Sequence, residues 1–96
     1  MLNLKKFIEH PMKSVLARIL ASDEKEISLG DLSKREKAEL SIMFEKGYIV
    51  FTKLEFGGSI PFVFSCDEKK FSVGLKKDSK ITITDLGNIL FEYGII

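Results

Sequence analysis

The chain has one cysteine, one histidine, no tryptophan and two prolines among 96 residues. Cys66 alone can form neither a disulfide framework nor a thiolate metal cluster within the chain. Zinc and most transition-metal sites need several His, Cys or carboxylate ligands at set spacings, and His10 and Cys66 stand far apart. No metal and no cofactor are expected. Nucleophile–base catalysis meets the same shortage, since it wants a His or a perturbed Lys beside a Ser or Cys. His10 precedes Pro11 at a chain turn, which suits a surface or capping role. Gly57-Gly58-Ser59 lacks the Gly-Lys-Ser/Thr and the following helix of a phosphate loop. No carboxylate pair has the apolar setting that raises one pKa for acid catalysis. An enzyme is not expected.

Long apolar runs are missing too. None approaches the roughly 18–20 residues that span a bilayer, and Met1–Lys6 lacks the form of a secretory leader. Together with the lone Cys, this predicts a cytoplasmic protein that does not engage membranes. An excess of charge of one sign is also absent: 15 Lys and Arg face 14 Asp and Glu, a formal net charge of +1. That excludes a uniformly basic protein coating nucleic acid by charge alone, and equally an acidic solvating chain. What is present is 45% hydrophobic residues in 10.9 kDa, enough for one core. A domain of this size buries roughly 60–70% of its unfolded surface. Residues 1–96 are expected to form one domain.

The apolar pattern predicts an α+β order. Leu2, Leu4, Phe7 and Ile8 make a short amphipathic opening that stops at His10-Pro11. Met12, Val15, Leu16, Ile19 and Leu20 then form a helical stripe over residues 11–22. Asp23–Glu26 is a polar loop, and Glu26–Leu29 suits a short strand. A second helix runs from Ser33 or Lys34 to Lys46 and is closed by Gly47. Leu40, Met43, Phe44 and Gly47 share one face of it, while Ala38 and Ile42 lie opposite. That apolar pair needs a second contact surface, either residues 2–9 of the same domain or a partner.

After Gly47 the period changes to two. Tyr48–Phe56, Ile60–Cys66, Phe71–Leu75 and Lys80–Thr84 read as strands, separated by turns at 57–59, 67–70 and 76–79. Short turns predict an antiparallel meander or two hairpins, with Pro61 on an edge strand or at a strand end. Thr84 or Asp85 caps a last helix carrying Leu86, Ile89, Leu90 and Tyr93 inward. The terminal Phe91, Tyr93, Ile95 and Ile96 are apolar enough to dock on the core or across a dimer.

Two segments in this order carry a likeness. In Leu40-Ser41-Ile42-Met43-Phe44-Glu45-Lys46-Gly47-Tyr48-Ile49-Val50, spaced apolar residues lead through Glu-Lys-Gly into an apolar strand. In Ile81-Thr82-Ile83-Thr84-Asp85-Leu86-Gly87-Asn88-Ile89-Leu90, a strand passes through Thr-Asp into a helix. They resemble the end of a recognition helix entering a wing, and the junction from wing to final helix, of winged helix-turn-helix domains, particularly MarR- and PadR-type regulators. The likeness covers most of residues 12–93. The chain departs from the family in a shortened helix-turn-helix, where Gly30-Asp31-Leu32 allows one helical turn at most, and in an enlarged wing. The resemblance implies a dimeric transcriptional regulator that binds duplex DNA.

In that reading Lys34, Arg35, Lys37 and Ser41 face the DNA groove, and Lys69, Lys70, Lys76, Lys77 and Lys80 of the wing and its turns meet phosphates. The charge distribution is uneven. Residues 23–45 hold seven acids against four bases, and residues 69–80 hold five lysines against Asp78. Three to five lysines on phosphates give a salt slope of roughly −3 to −4.5. The lysines equally suit strand ends guarded against edge-to-edge association. The alternative function is a winged-helix-derived protein-interaction module, an adaptor or inhibitor of the kind a virus or plasmid encodes. Its partner surface is Ala38 and Ile42, with the spare phenylalanines as anchors.

Overall fold

His10 opens the first helix, α1 (Pro11–Ala21), in the capping role its position suggests. Its Nδ1 accepts the Met12 N–H at 3.3 Å, and Pro11 fills the first turn, where a missing N–H costs nothing. The structure, a computed structural model, describes residues 10–96; the amphipathic opening expected over residues 2–9 lies outside them. α1 buries Val15, Leu16 and Ile19, the centre of the expected stripe. The short strand β1 (Ile27–Ser28) follows, then a single 3-10 turn (Leu29–Asp31) where a helix-turn-helix has its second helix. Leu29 and Leu32 plug this compressed segment into the core.

Helix α2 (Lys34–Glu45) starts at a capping box. The Ser33 hydroxyl accepts the Glu36 N–H at 3.2 Å, and the Glu36 carboxylate accepts the Ser33 N–H at 2.7 Å. Gly47, at φ +78°, ends the helix in the left-handed conformation that favours glycine. Leu40 and Met43 are fully buried.

Four further strands follow: β2 (Ile49–Lys53), β3 (Phe56–Cys66), β4 (Lys69–Leu75) and β5 (Lys80–Ile83). Their pairing differs from the expected meander or pair of hairpins. β5 pairs antiparallel with both β1 and β2, giving a three-stranded sheet of order β1-β5-β2. β3 and β4 form a separate hairpin inserted between β2 and β5. The expected turn at Gly57-Gly58-Ser59 is an irregular stretch inside β3, between the Phe56↔Leu75 and Ile60↔Leu75 pairs. The chain breaks at Leu54-Glu55 instead. Asp67 and Glu68 alone form the hairpin turn, at φ 50° and 65°, leaving Lys69 and Lys70 in β4. Both turn residues in the left-handed region match the twist of a two-residue hairpin.

The reason for the altered break lies at the base of the hairpin. The fully buried Ser79 hydroxyl accepts the Glu55 N–H at 2.9 Å and donates to the Glu55 carbonyl at 3.2 Å. The Lys76 N–H donates to that carbonyl at 2.8 Å, and the Leu29 N–H donates to the Ser79 carbonyl at 2.9 Å. One serine thus joins both strand-to-hairpin links and the 3-10 turn. Ser79→Ala is expected to cost about 1–2 kcal/mol, because a buried N–H and C=O lose a side-chain partner. Thermal unfolding checks this: a drop of roughly 4–12 °C is expected at this chain length, and an unchanged midpoint refutes it.

Helix α3 (Asp85–Glu92) closes the α+β layout, which is consistent with a winged-helix-like order. The Thr84 hydroxyl caps it, accepting the Gly87 N–H at 3.1 Å and donating to the Gly47 carbonyl. The expected inward face is corrected at three of its four residues, while Leu90 is half-buried. Leu86 and Ile89 are half-exposed and Tyr93 is largely exposed, whereas Gly87 is buried and Phe91 packs on the core. Gly87 lies so close to the Tyr48 backbone that a Cβ there would strike it. That close seat turns the 87/91 side inward and the 86/89/93 side out. Ile96 packs on the core while Ile95 stays exposed.

Candidate functional site

α2 is held from two sides, which fixes what its remaining face can meet. On the α1 side, Glu36 is only 6% exposed and acts as a hub. Besides the Ser33 N–H, its carboxylate accepts from the Ser14 hydroxyl at 2.7 Å and from Arg18 Nη1 at 2.9 Å. Arg18 Nη2 reaches the Asp31 carbonyl at 2.8 Å, tying α1 to the 3-10 turn. Burial pushes the Glu36 pKa up, but hydrogen bonds from Ser33 and Ser14 and the Arg18 charge outweigh it and hold the pKa below its ordinary value.

On the hairpin side, Phe44 sits among Phe51 of β2 and Phe62 and Phe64 of β3, with ring centroids 5.6–5.7 Å away. The phenylalanines considered as partner anchors are in these four cases mutual core contacts; Phe56 and Phe71 remain exposed on the hairpin. Aromatic packing of this kind contributes about 0.5–1.5 kcal/mol per pair beyond area burial. It draws β3 alongside α2. There the Ser41 hydroxyl accepts the Val63 N–H at 3.1 Å, and the Ser65 hydroxyl donates to Glu45 at 2.6 Å.

From that clamped end α2 and β3 leave a groove of about 490 Å³. Lys34, Lys37, Ala38 and Ser41 line its helix wall, and Ser59, Ile60, Pro61 and Val63 its strand wall. Three of the four residues expected to face DNA are therefore brought together, with the partner-surface residue Ala38. They face a strand of the same chain. Arg35 is exposed but does not line the groove, and Ile42 is 43% exposed on the outer arc of α2.

Among the described residues the strand wall is an unpaired edge, since β3 pairs only with β4. The two-residue turn makes Cys66↔Lys69 a hydrogen-bonded pair, and alternation up the ladder makes Pro61↔Gly74 and Val63↔Ser72 non-hydrogen-bonded pairs. The backbone groups of Pro61 and Val63 hence point away from β4, towards α2. Pro61 sits where its missing N–H breaks no ladder bond, the edge placement expected of it.

The wing lysines do not converge. Lys69 and Lys70 lie at the hairpin turn beside Asp67 and Glu68, two bases against two acids. Lys76 and Lys77 lie at the other end of β4, about 20 Å away for a strand of this length. Lys80 is engaged by Glu26 at 3.4 Å, and Thr52 donates to the same carboxylate at 2.8 Å. The Thr52 hydrogen bond foremost, with Lys80, holds the Glu26 pKa below its ordinary value. The basic 69–80 run is a property of the sequence window; the fold distributes it. The acidic 23–45 run is likewise softened, since Glu36 and Glu26 are paired with Arg18 and Lys80.

Sequence reasoning missed Glu36 as a hub, although Ser33-x-x-Glu36 ahead of an apolar run is the spacing of a capping box. It also missed the strand half of the groove, for which Pro61 is the one local signal. Among the described residues no group of three or more His, Cys, Asp or Glu is placed to hold a metal ion. No helix among them is long and apolar enough to cross a membrane. Comparison with protein-family models, curated proteins and solved structures finds no match.

Proposed function

We propose that the chain is a protein-interaction module on a winged-helix-like scaffold, with the exposed arc of α2 and its groove against β3 as the partner surface. The observation that carries this reading is the seating of the inserted hairpin on α2 through Ser41–Val63 and Glu45–Ser65. A recognition helix needs its outer face free to enter a major groove about 12 Å wide. Here β3 flanks α2 on the Lys37 and Ser41 side. The remaining arc presents Ile42, 43% exposed, and Ala38 stands in the groove beside it, apolar groups that favour a protein surface over phosphates. A cytoplasmic location belongs to the same proposal, supported by the free, exposed Cys66, which suits a reducing compartment.

Duplex DNA binding by a homodimer is the second reading, the one its family resemblance implies. It is favoured by Lys34 and Arg35, which stand exposed in the first turn of α2, the part of a recognition helix that contacts base edges. Fluorescence anisotropy with labelled duplexes at low and physiological salt separates the two. The protein-interaction reading expects no binding at either. Binding that weakens with a salt slope near −3 overturns it in favour of DNA. Ile42→Asp supplies the complementary arm: because Ile42 is half-exposed, the variant should keep its unfolding midpoint while losing a cross-linked, identified protein partner. Loss of folding would make Ile42 part of the core and refute the partner surface.

A further inference from the structure

The groove between α2 and β3 has a chemistry that narrows what can enter it. Its strand wall offers backbone acceptors without matching donors. Pro61 has no N–H, and the Val63 N–H is occupied by the Ser41 hydroxyl at 3.1 Å, while both carbonyls face the edge side. Its apolar lining comes from Ala38 on the helix wall and Ile60, Pro61 and Val63 on the strand wall. Its helix wall carries two ammonium groups, Lys34 and Lys37, and no acidic side chain lines the cavity. An occupant must therefore supply N–H donors along an extended backbone, small or branched apolar side chains, and negative charge facing α2.

The geometry points to an extended, acid-bearing segment of a partner protein that adds as a short strand to the edge of β3 that no described residue pairs with. Its N–H groups donate to the Pro61 and Val63 carbonyls, and one Asp or Glu meets Lys34 and Lys37. This assignment rests on the protein-interaction reading and specifies its partner chemistry. Strand addition to an exposed sheet edge takes its affinity from main-chain hydrogen bonds and its specificity from alternate side chains. The groove satisfies both at its open end. Closure at Ser41–Val63 limits the added strand to a few residues, so the acid–lysine contact supplies much of the selectivity. A nucleic acid fits the lysines but offers no row of donors to the edge carbonyls. A second copy of this chain would need an unpaired acidic strand.

A displayed library of random linear dodecapeptides, panned against the full-length protein, tests this. Enriched peptides are expected to share an Asp or Glu within two positions of Val, Ile or Leu. In a titration of the isotope-labelled protein, the best of them should shift the Lys37, Ser41 and Val63 amide resonances. Methylating alternate backbone nitrogens of that peptide should weaken it at least tenfold, which a side-chain-only contact would not do. The double variant Lys34→Glu/Lys37→Glu, at exposed and half-buried positions, should fold and select basic peptides instead. No enrichment, an unchanged preference in the double variant, or equal binding of the methylated peptide overturns the assignment. A short duplex that shifts the same resonances, or shifts that follow protein concentration alone, overturns it in favour of DNA or of self-association. Should the peptide arm fail while Ile42→Asp still abolishes partner capture, the strand-addition site falls and the interaction module stands.

Discussion

Glu36→Ala is expected to lower the stability of the protein by about 3 kcal/mol. The carboxylate is the meeting point of the Ser33 N–H, the Ser14 hydroxyl and Arg18 Nη1. Removing it leaves a helix N–H and a part-buried hydroxyl without partners. Hydrogen bonds to a charged group contribute about 1.5–3 kcal/mol, whereas the cap itself is kept, because the Ser33 hydroxyl still accepts the backbone N–H of residue 36. The Arg18 side chain is 43% exposed, so water recovers part of its loss and the full cost of a broken buried pair does not apply. Thermal unfolding should fall by roughly 12–20 °C. Glu36→Gln keeps an acceptor for the Ser33 N–H and loses the charge, so it should cost about half as much. A drop below about 1 kcal/mol for Ala would mean that α1 and α2 are held by their apolar contacts alone.

The same residue gives the stability an acid-side dependence. Its folded pKa lies below the ordinary 4.5, so between the two values the unfolded chain binds the proton more readily. The stabilisation is fully present above about pH 4.5 and fades as pH falls through the lowered folded value. Wild type and Glu36→Gln should therefore differ most near neutral pH and converge in acid. A gap that stays constant from pH 7 down to pH 3 would show that the charge contributes nothing. Glu26 shifts in the same direction but is only half-buried, and Thr52 and Lys80 hold it at the surface.

The helices were legible because their signals are local. The α1 stripe, the Ser33 start, the Gly47 stop and the Thr84 cap each depend on residues within one or two turns. Strand partners depend on which faces the helices leave uncovered. Nothing near Ile49 says that its partner is Ile83 rather than a residue of the next strand. α3 illustrates the same limit: Leu86, Ile89 and Tyr93 make as good a stripe as the side that is buried, and the tight seat of Gly87 on Tyr48 decides between them. The helix wall of the candidate site was legible only in part: the sequence groups Lys34, Lys37 and Ser41 with Arg35, but sets Ala38 with Ile42 on a separate surface. Its orientation was not legible, because the wall it faces is a hairpin brought in by Phe44, Phe62 and Phe64 from distant positions.

Gly74→Ala should produce a loss comparable to that of Glu36→Ala, at a position with no polar contact to lose. The irregular stretch of β3 passes across β4 so closely that a Cβ on Gly74 would overlap the Gly58 carbonyl oxygen and stand 3.2 Å from its carbon. The crossing is reciprocal: a Cβ on Gly58 would lie 2.5 Å from the Leu75 carbonyl carbon and from the Lys76 Cα. Backbone cannot rotate aside as a side-chain tip can, so the strands must separate. They would separate where Ile60 and Leu75, 7% and 0% exposed, close the core. Overpacking costs typically 1–3 kcal/mol, and a backbone obstacle puts this site at about 3 kcal/mol. Because one crossing is strained from either side, Gly58→Ala and Gly74→Ala should not add. The first substitution opens the gap the second needs, and a double-mutant cycle should show coupling of about 1 kcal/mol or more. Hydrogen exchange should speed up first in β3 and β4, with α1 and β5 protected, since the hairpin is an insertion between paired strands. Full additivity, or a loss below about 0.5 kcal/mol, would mean that the crossing relaxes and that the two glycines do not fix the edge on which the groove is built.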